Sequence, residues 1–263
     1  MEAYKNLAKI SRMNVEEYKY RLQRKVERVV EGSQIFIVTN YATLEQMFLE
    51  DNPTERRFKT LFETGMSNGL YSKVGRKCIE NELFNLSIDD DAPNQRPIYG
   101  YLSNNEEGTV NTTGETQYIS NTDFYGTIRC KLRKENIANH ITVTFQDSFI
   151  IPISKGDITY TASPLQTPHF TSVLLPSKEI KENNPLNIIS DQSSQFGHQK
   201  HQYVEAQIHH KVKLEDIKAL YIHKHNHHLS EMLQKKMERE KQRNPELNLT
   251  IIEYDSAPTD TSS

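Results

Sequence analysis

Apolar residues in positions 2–31 recur three or four places apart, with lysine, arginine and glutamate between them. This period predicts amphipathic helices whose apolar side packs against a core. Asn14 and Glu17 have the spacing of an N-terminal cap, so a second helix is expected after a break near Ser11. A helix for a membrane or a partner protein is the alternative. The apolar positions are Leu7, Ile10, Met13, Tyr18, Leu22, Val26 and Val29.

Beyond Gly32 the pattern alternates between short apolar runs and short helical stretches. Between Ile98 and Ile153 the pattern changes to stretches in which apolar residues recur every second position, which is typical of strands. Because helices come first and strands follow, without a regular strand–helix–strand series, the order predicts an α+β fold. The main predicted strands lie at 35–39, 123–132, 141–145, 202–208, 219–222 and 249–252, and the main predicted helices at 43–49, 79–86 and 230–243.

Three stretches carry turn-forming residues in place of a periodic pattern. Residues 104–114 predict an exposed loop, and residues 154–201 predict irregular connections, the commonest setting for a lid or substrate loop. Residues 256–263 predict a disordered tail. The expected organisation is therefore a helical segment at 1–32 followed by one α+β domain at 33–255, the candidate catalytic domain.

The charges nearly balance, with 32 Lys+Arg against 35 Asp+Glu and a formal net charge of -3. A dedicated nucleic-acid binder normally carries a large basic excess, so a small nucleotide is the more compatible partner. Cys78 and Cys130 provide neither a disulfide framework nor a zinc spacing. No apolar run approaches the ~20 residues of a membrane span, and the N-terminus lacks a signal-peptide pattern. We expect a protein that is cytoplasmic in the producing cell, or one secreted into a target cell without a conventional signal peptide.

No Walker loop, GxGxxG, HExxH or GxSxG motif occurs in the chain,. The histidines His223, His225, His227 and His228 suggest a metal site, because neutral imidazoles are common ligands. The three alternate histidines share a side only on an extended backbone, and no cysteine or nearby carboxylate completes a tetrahedral set. The expectation is a solvated polar loop and no physiological metal.

The first of four candidate ligand-binding motifs is Phe-Glu-Thr-Gly-Met-Ser-Asn-Gly at 62–69. Two glycines around Ser-Asn, after an acid, form a loop whose backbone amides and side chains could converge on a ligand. A plain tight turn is the alternative. The candidate binding residues here are Glu63, Thr64, Gly65, Ser67 and Asn68.

The second motif is Arg-Pro-Ile-Tyr-Gly at 96–100. Arg96 could fork onto a phosphate, and Gly100 beside Tyr99 would let a ligand approach the backbone. The alternative is a surface ion pair between Arg96 and one of the acids at 89–91.

The third motif, at 142–148, places threonine hydroxyls on one strand face and ends in Asp-Ser. The groups Thr144, Asp147 and Ser148 suit hydrogen bonding to a sugar or to a catalytic acid, although threonine is also simply a good strand former. The fourth motif is the strand at 203–209. Its polar residues Glu205, Gln207 and His209 share one face of the strand, while its apolar residues point to the core.

These blocks, in this order, resemble a bacterial family catalogued as domain of unknown function 3626. The resemblance covers roughly residues 33–255 and adds Arg76 and Glu80 between the first and second motifs. The chain departs from the family pattern at 39–42, where the family has a His-Pro-Asp-Arg-like segment, and at His210, where the family usually has glycine. Since the chemistry of that family is poorly defined, the resemblance implies a fold more than a reaction.

A more distant resemblance is to the R–S–E type of ADP-ribosyltransferase, with Arg96 first, Thr144 or Ser148 second and Glu205 last. It implies N-terminal helices packed on a mostly antiparallel, split β-sheet, with NAD as substrate. The arginine would brace the pyrophosphate side of NAD, and the glutamate would stabilise the oxocarbenium-like transition state as nicotinamide leaves. In that family the catalytic glutamate stands second in Gln/Glu-x-Glu, whereas here the acid comes first and Gln207 second. The implied catalytic residues are Glu205, Arg96, Ser148 and Gln207, and the implied NAD-binding residues are Glu63, Thr64, Gly65, Ser67, Asn68, Arg76, Tyr99, Gly100, Thr144, Asp147 and His209.

Three functional hypotheses follow from these motifs. The first is an NAD-dependent mono-ADP-ribosyltransferase-like enzyme, a bacterial effector or toxin that modifies a protein target. The second is a hydrolase or transferase for another nucleotide or a glycosidic substrate, with Glu63, Arg76 and Glu205 in its site. The third is a non-catalytic interaction module that docks through its N-terminal helices and the charged helix at 230–243.

Overall fold

The computed structural model is described for the parts of the chain that carry the sheet and its main helices. The described residues are 5, 8–9, 11–52, 54–64, 76–77, 80, 94, 96–103, 106, 126–144, 171–173 and 204–255. The predicted tail at 256–263 lies outside them, as do the predicted loops at 104–114 and 154–201 apart from residues 106 and 171–173.

Eight strands join into one sheet. They are β1 (Gln34–Thr39), β2 (Ile98–Ser103), β3 (Ile128–Leu132), β4 (Ile141–Thr144), β5 (Thr171–Val173), β6 (Val204–Ile208), β7 (Ile217–His223) and β8 (Thr250–Tyr254). Their spatial order is β5-β4-β6-β2-β1-β3-β7-β8. All neighbours are antiparallel except β4 with β5 and β7 with β8. The predicted α+β class and mostly antiparallel sheet are therefore confirmed.

The expected split in the sheet is absent among these strands. β1 pairs with β2 along one edge and with β3 along the other, so hydrogen bonding is continuous across the centre of the sheet. The prediction of a split sheet was wrong because it came from a distant resemblance, and strand order is decided by pairings between segments far apart in the sequence.

Five α-helices accompany the sheet within the described ranges. They are α1 (Val15–Gly32), α2 (Tyr41–Leu49), α3 (Leu61–Thr64), α4 (Lys134–Ile137) and α5 (His227–Arg243), with short 3-10 helices at Ala138–His140, Leu214–Asp216 and Lys224–Asn226. The predicted cap of α1 is confirmed, because Asn14 Oδ1 accepts the backbone N–H of Glu17 at 2.8 Å,. Asn40 caps α2 in the same way, accepting from Thr43 N at 2.9 Å.

One face of the sheet forms the main hydrophobic core. α1 buries Tyr18, Leu22, Val26 and Val30, which pack in the same cluster as sheet residues such as Ile35. α2 and α5 contribute to that cluster too. The N-terminal segment is thus part of the domain core, because its apolar stripe is already covered by the sheet. No helix in the described ranges is both long and apolar enough to cross a membrane.

The other face of the sheet is polar and aromatic. Tyr99 on β2 lies directly opposite Gln207 on β6, which lies opposite Thr142 on β4. One row along, Tyr101 and Glu205 face each other, and the Tyr101 ring stacks on Phe36 at 5.6 Å between centroids. Since side chains alternate along a strand, every second residue of β2 and β6 reaches this polar face.

Gly100 belongs to the opposite, apolar face. A Cβ atom there would lie 2.3 Å from the backbone oxygen of Phe36 on β1. The close approach of β1 explains this glycine without a ligand, which corrects the interpretation that Gly100 makes room for a bound molecule.

Candidate functional site

A cluster of polar side chains lies on the polar face of the sheet, around the β2–β6 pair. Its members come from several separate segments: α3, the helical residues near 76–80, the start of β2, and the strands β4 and β6. The cluster brings together six residues that the sequence singled out as site candidates and three, Phe62, Glu80 and Thr142, that it did not. They are Phe62, Arg76, Glu80, Arg96, Tyr99, Thr142, Glu205, Gln207 and His209.

The first part of the cluster is a buried ion pair. Arg96 Nη1 lies 2.5 Å from Glu80 Oε2, and both side chains are almost completely buried. The Arg96 guanidinium also lies over the ring of Phe62, with Cζ 3.8 Å from the ring centroid. Burial raises the pKa of Glu80, while the hydrogen bonds from Tyr99 and Arg96 oppose that rise,. The alternative of a surface ion pair for Arg96 is therefore wrong.

Tyr99 connects this ion pair to β6. Its hydroxyl donates to Glu80 Oε1 at 2.8 Å, and Arg76 lies over its ring with Cζ 4.2 Å from the centroid. Removal from water raises the pKa of Tyr99; Arg76 opposes the rise, whereas the negative charges of Glu80 and Glu205 add to it,. Tyr99 is thus a neutral hydroxyl that donates to the Glu80 carboxylate and also experiences the negative charge of Glu205.

The second part of the cluster is a line of hydrogen bonds on β6 and β4. Gln207 Nε2 donates to Glu205 Oε1 at 2.6 Å, and Thr142 Oγ1 donates to Gln207 Oε1 at 2.9 Å. His209 Nε2 lies 3.0 Å from the same Thr142 oxygen. Glu205 and Gln207 are buried, whereas His209 keeps exposed surface at the end of β6. Partial removal of its imidazole from water, and then the nearby His140, lower the pKa of His209 below its ordinary value,.

Glu63 and Thr64 use their side chains inside their own segment. Glu63 Oε2 accepts the backbone N–H of Thr60 at 2.8 Å, and Thr60 Oγ1 accepts from Glu63 N at 3.3 Å. This reciprocal pair is a capping box at the start of α3. Arg57 holds the Glu63 carboxylate from the other side with two hydrogen bonds, of 2.6 and 2.9 Å. Thr64 Oγ1 donates to the backbone oxygen of Thr60. The T-x-x-E spacing is the sequence signal for this structural role.

Part of the predicted site cannot be placed. Gly65, Ser67, Asn68, Asp147 and Ser148 lie outside the described residues. Thr144 is described through its backbone, which is opposite Glu205 in the β4–β6 pair. The backbone register thus brings the third and fourth motifs side by side, as a shared site requires.

Sequence reasoning did not assign a site role to Glu80 or Thr142. Glu80 stands four residues after Arg76, a spacing that places two helical side chains on one side. Thr142 stands two residues before Thr144, so both belong to one strand face. Both spacings are visible in the sequence, but neither identifies the residue that the side chain contacts. Glu80 contacts Arg96, and Thr142 contacts Gln207, because the fold brings distant segments together.

The histidine cluster lies away from these residues, where β7 leads into α5. His223 ends β7, His225 lies in a 3-10 turn, and His227 and His228 open α5, so the expected loop is largely regular structure. Within the described ranges, no three His, Cys, Asp or Glu side chains are grouped so that they could hold a metal ion.

No protein-family model matches the chain, and no curated protein matches it.

Proposed function

We propose that the chain is an NAD-dependent mono-ADP-ribosyltransferase-like enzyme with Glu205 as its catalytic carboxylate. The observation that carries the proposal is the position of Glu205. It is a buried acid oriented by Gln207, on the sheet face that also carries Tyr99, over whose ring the guanidinium of Arg76 lies. A preoriented carboxylate beside aromatic and cationic groups suits the cleavage of a charged glycosidic bond.

In this proposal the bond between nicotinamide and ribose C1′ breaks, and its electron pair leaves with nicotinamide. The carboxylate of Glu205 accepts a hydrogen bond from a ribose hydroxyl and stabilises the positive charge that develops on the sugar. A nucleophile on the target protein then forms the new bond to C1′. The substrates are therefore NAD and a protein, as in a bacterial effector or toxin.

The two arginines divide their roles in this proposal. Arg96 is held by Glu80 and by the ring of Phe62, so it supports the segment that carries Glu80. Arg76 is the better candidate for the anionic pyrophosphate, because its guanidinium lies over the Tyr99 ring on the same sheet face as Glu205, and guanidinium groups bind phosphates well,. The predicted bracing role thus moves from Arg96 to Arg76.

The test is labelling of target proteins with biotin-NAD or etheno-NAD. We expect Glu205→Gln to lower labelling about 100-fold or more, since an electrostatic group at the reacting centre is lost. Glu135→Gln, at an exposed position on α4, is the matched control and should label like wild type. Equal labelling by Glu205→Gln would remove Glu205 from catalysis, and no NAD binding by calorimetry would reject the class.

A second candidate is hydrolysis or transfer on another nucleotide or a glycosidic substrate. It is favoured by the presence of two carboxylates, Glu80 and Glu205, whose negative charges both act on Tyr99, with the pKa of Glu80 raised by burial. Two carboxylates with different environments are the usual equipment for glycoside cleavage. Thermal-shift screening against NAD, ATP and other nucleotides separates this candidate from the first by which ligand stabilises the protein.

A non-catalytic interaction module is the third hypothesis, and fewer observations support it. The apolar stripe of α1 is covered by the sheet, which leaves the charged surface of α5 as its docking element. If neither a nucleotide nor a glycosidic ligand stabilises the protein, this hypothesis replaces the other two.

A further inference from the structure

A line of hydrogen bonds runs from His209 at the surface to Glu205 in the interior. Its steps are 3.0 Å from His209 Nε2 to Thr142 Oγ1, 2.9 Å from Thr142 Oγ1 to Gln207 Oε1, and 2.6 Å from Gln207 Nε2 to Glu205 Oε1. The four residues come from β4, β6 and the residue after β6. The register that places Thr142 opposite Gln207 is what closes the line.

The direction of every bond follows from the carboxylate end. An ionised carboxylate only accepts hydrogen bonds, so Gln207 must present its NH₂ group to Glu205 and its oxygen to Thr142. That oxygen also only accepts, so the single hydroxyl proton of Thr142 points towards it. The hydroxyl oxygen is then an acceptor for His209, and Nε2 of His209 must carry the proton.

We propose that Thr142 and His209 are positioning residues that act on Glu205 through Gln207. Thr142 holds the oxygen of the Gln207 amide in place, and the amide in turn holds Glu205 in one orientation as an acceptor. The tautomer of His209 is set by the same line. The catalytic consequence rests on the proposed function, whereas the arrangement of protons does not.

Burial makes this arrangement specific. Gln207 is fully buried and Thr142 nearly so. A reversed amide would face its oxygen to the carboxylate and its NH₂ group to the hydroxyl, so two acceptors would meet without a proton in a place that water does not reach. The carboxylate thus selects the orientation of the amide, and an apolar residue at 142 removes the hydroxyl that holds the amide oxygen in place.

The first experiment reads the His209 tautomer from long-range ¹H–¹⁵N NMR correlations of the histidine side chain at pH 7. We expect the proton on Nε2 in wild type and in Thr142→Ser, and a loss of that preference in Thr142→Val. Thr250→Val, which removes an exposed hydroxyl on β8, is the matched control. A wild-type proton on Nδ1, or an unchanged tautomer in Thr142→Val, overturns the proposal.

The second experiment measures NAD cleavage by the same variants, each first shown to be folded by its thermal unfolding. Misplacement of a reacting group lowers the rate of the chemical step, so kcat of Thr142→Val should fall about 10- to 100-fold with little change in KM. Thr142→Ser should restore most of that loss. A rise in KM with kcat unchanged contradicts the positioning role. So does an equal kcat in Thr142→Val and Thr142→Ser. If wild type does not act on NAD, the proposed function fails while the tautomer measurement still decides this inference.

Discussion

Arg96 and Glu80 form an ion pair of 2.5 Å in which both side chains are almost completely buried. The pair joins the residues just before β2 to the helical residue Glu80, and the Phe62 ring covers the guanidinium. Two opposite charges at this depth stabilise each other only while both are present, because either one alone would be buried without compensation.

Glu80→Gln should therefore destabilise the fold. Loss of one partner of a buried ion pair costs about 3–5 kcal/mol in the free energy of unfolding, which denaturant titration measures. The double variant Glu80→Gln/Arg96→Met should recover a large part of the loss, since no isolated charge remains. Glu16→Gln, which removes an exposed ion pair with Lys19 on α1, is the control and should leave stability nearly unchanged,. A double variant less stable than both single variants would contradict this account.

Gly100→Ala should also weaken the fold, for a steric reason. The new Cβ would lie 2.3 Å from the Phe36 backbone oxygen, so β1 and β2 must move apart. Such overpacking costs about 1–3 kcal/mol or more. Gly32→Ala is the matched control, because a Cβ there meets nothing within 4 Å at the end of α1. Equal midpoints of denaturation for the two variants would show that the strands accommodate the methyl group.

The capping box of α3 supplies a third prediction. Thr60→Ala removes the hydroxyl that accepts the Glu63 N–H, and should cost about 1 kcal/mol of stability,. Thr60→Ser keeps the oxygen and should stay close to wild type. Since α3 carries Phe62 against Arg96, the alanine variant should also increase amide hydrogen exchange in α3,. Slow exchange in both variants would mean that packing alone holds α3.

The fourth prediction concerns pH. The hydrogen bond of His227 to Glu253, 2.7 Å from Nδ1 to Oε1, raises the pKa of His227 above its ordinary value of 6.5. A raised pKa in the folded state stabilises the protein while the imidazole is charged, so this contribution is complete below pH 6.5 and is lost as pH rises through the folded-state pKa. The effect should be small, because His227 is largely exposed and solvent screens the pair,.

An NMR titration of the His227 imidazole measures its pKa. Glu253→Gln should bring the pKa of His227 down towards 6.5 and remove the associated loss of stability above neutral pH. An unchanged titration in Glu253→Gln would assign the shift to other neighbours, among which Glu231 lies 3.4 Å from Nε2.

Local spacing in the sequence determined much of this protein. Periods of three to four residues and of two predicted α1, α2, α5 and most of the strands to within a few residues. The Asn14–Glu17 spacing predicted a cap, and alternation placed Glu205 and Gln207 on one strand face. These features depend on residues a few positions apart, whose relative directions the backbone alone defines.

Only the tertiary structure decided how those pieces meet. Arg96 pairs with Glu80 across 16 positions, and Thr142 bonds Gln207 across 65. Each depends on strand order and register, which follow from packing of the whole core and leave no local pattern. Strand pairing also explains why residue 100 is a glycine, because the Phe36 backbone leaves no room for a Cβ atom there. It likewise makes the sheet continuous where a split was expected. The sequence by itself therefore identified many of the polar groups of the site. Their partners were decided by the fold, because distant segments come together only when the core forms.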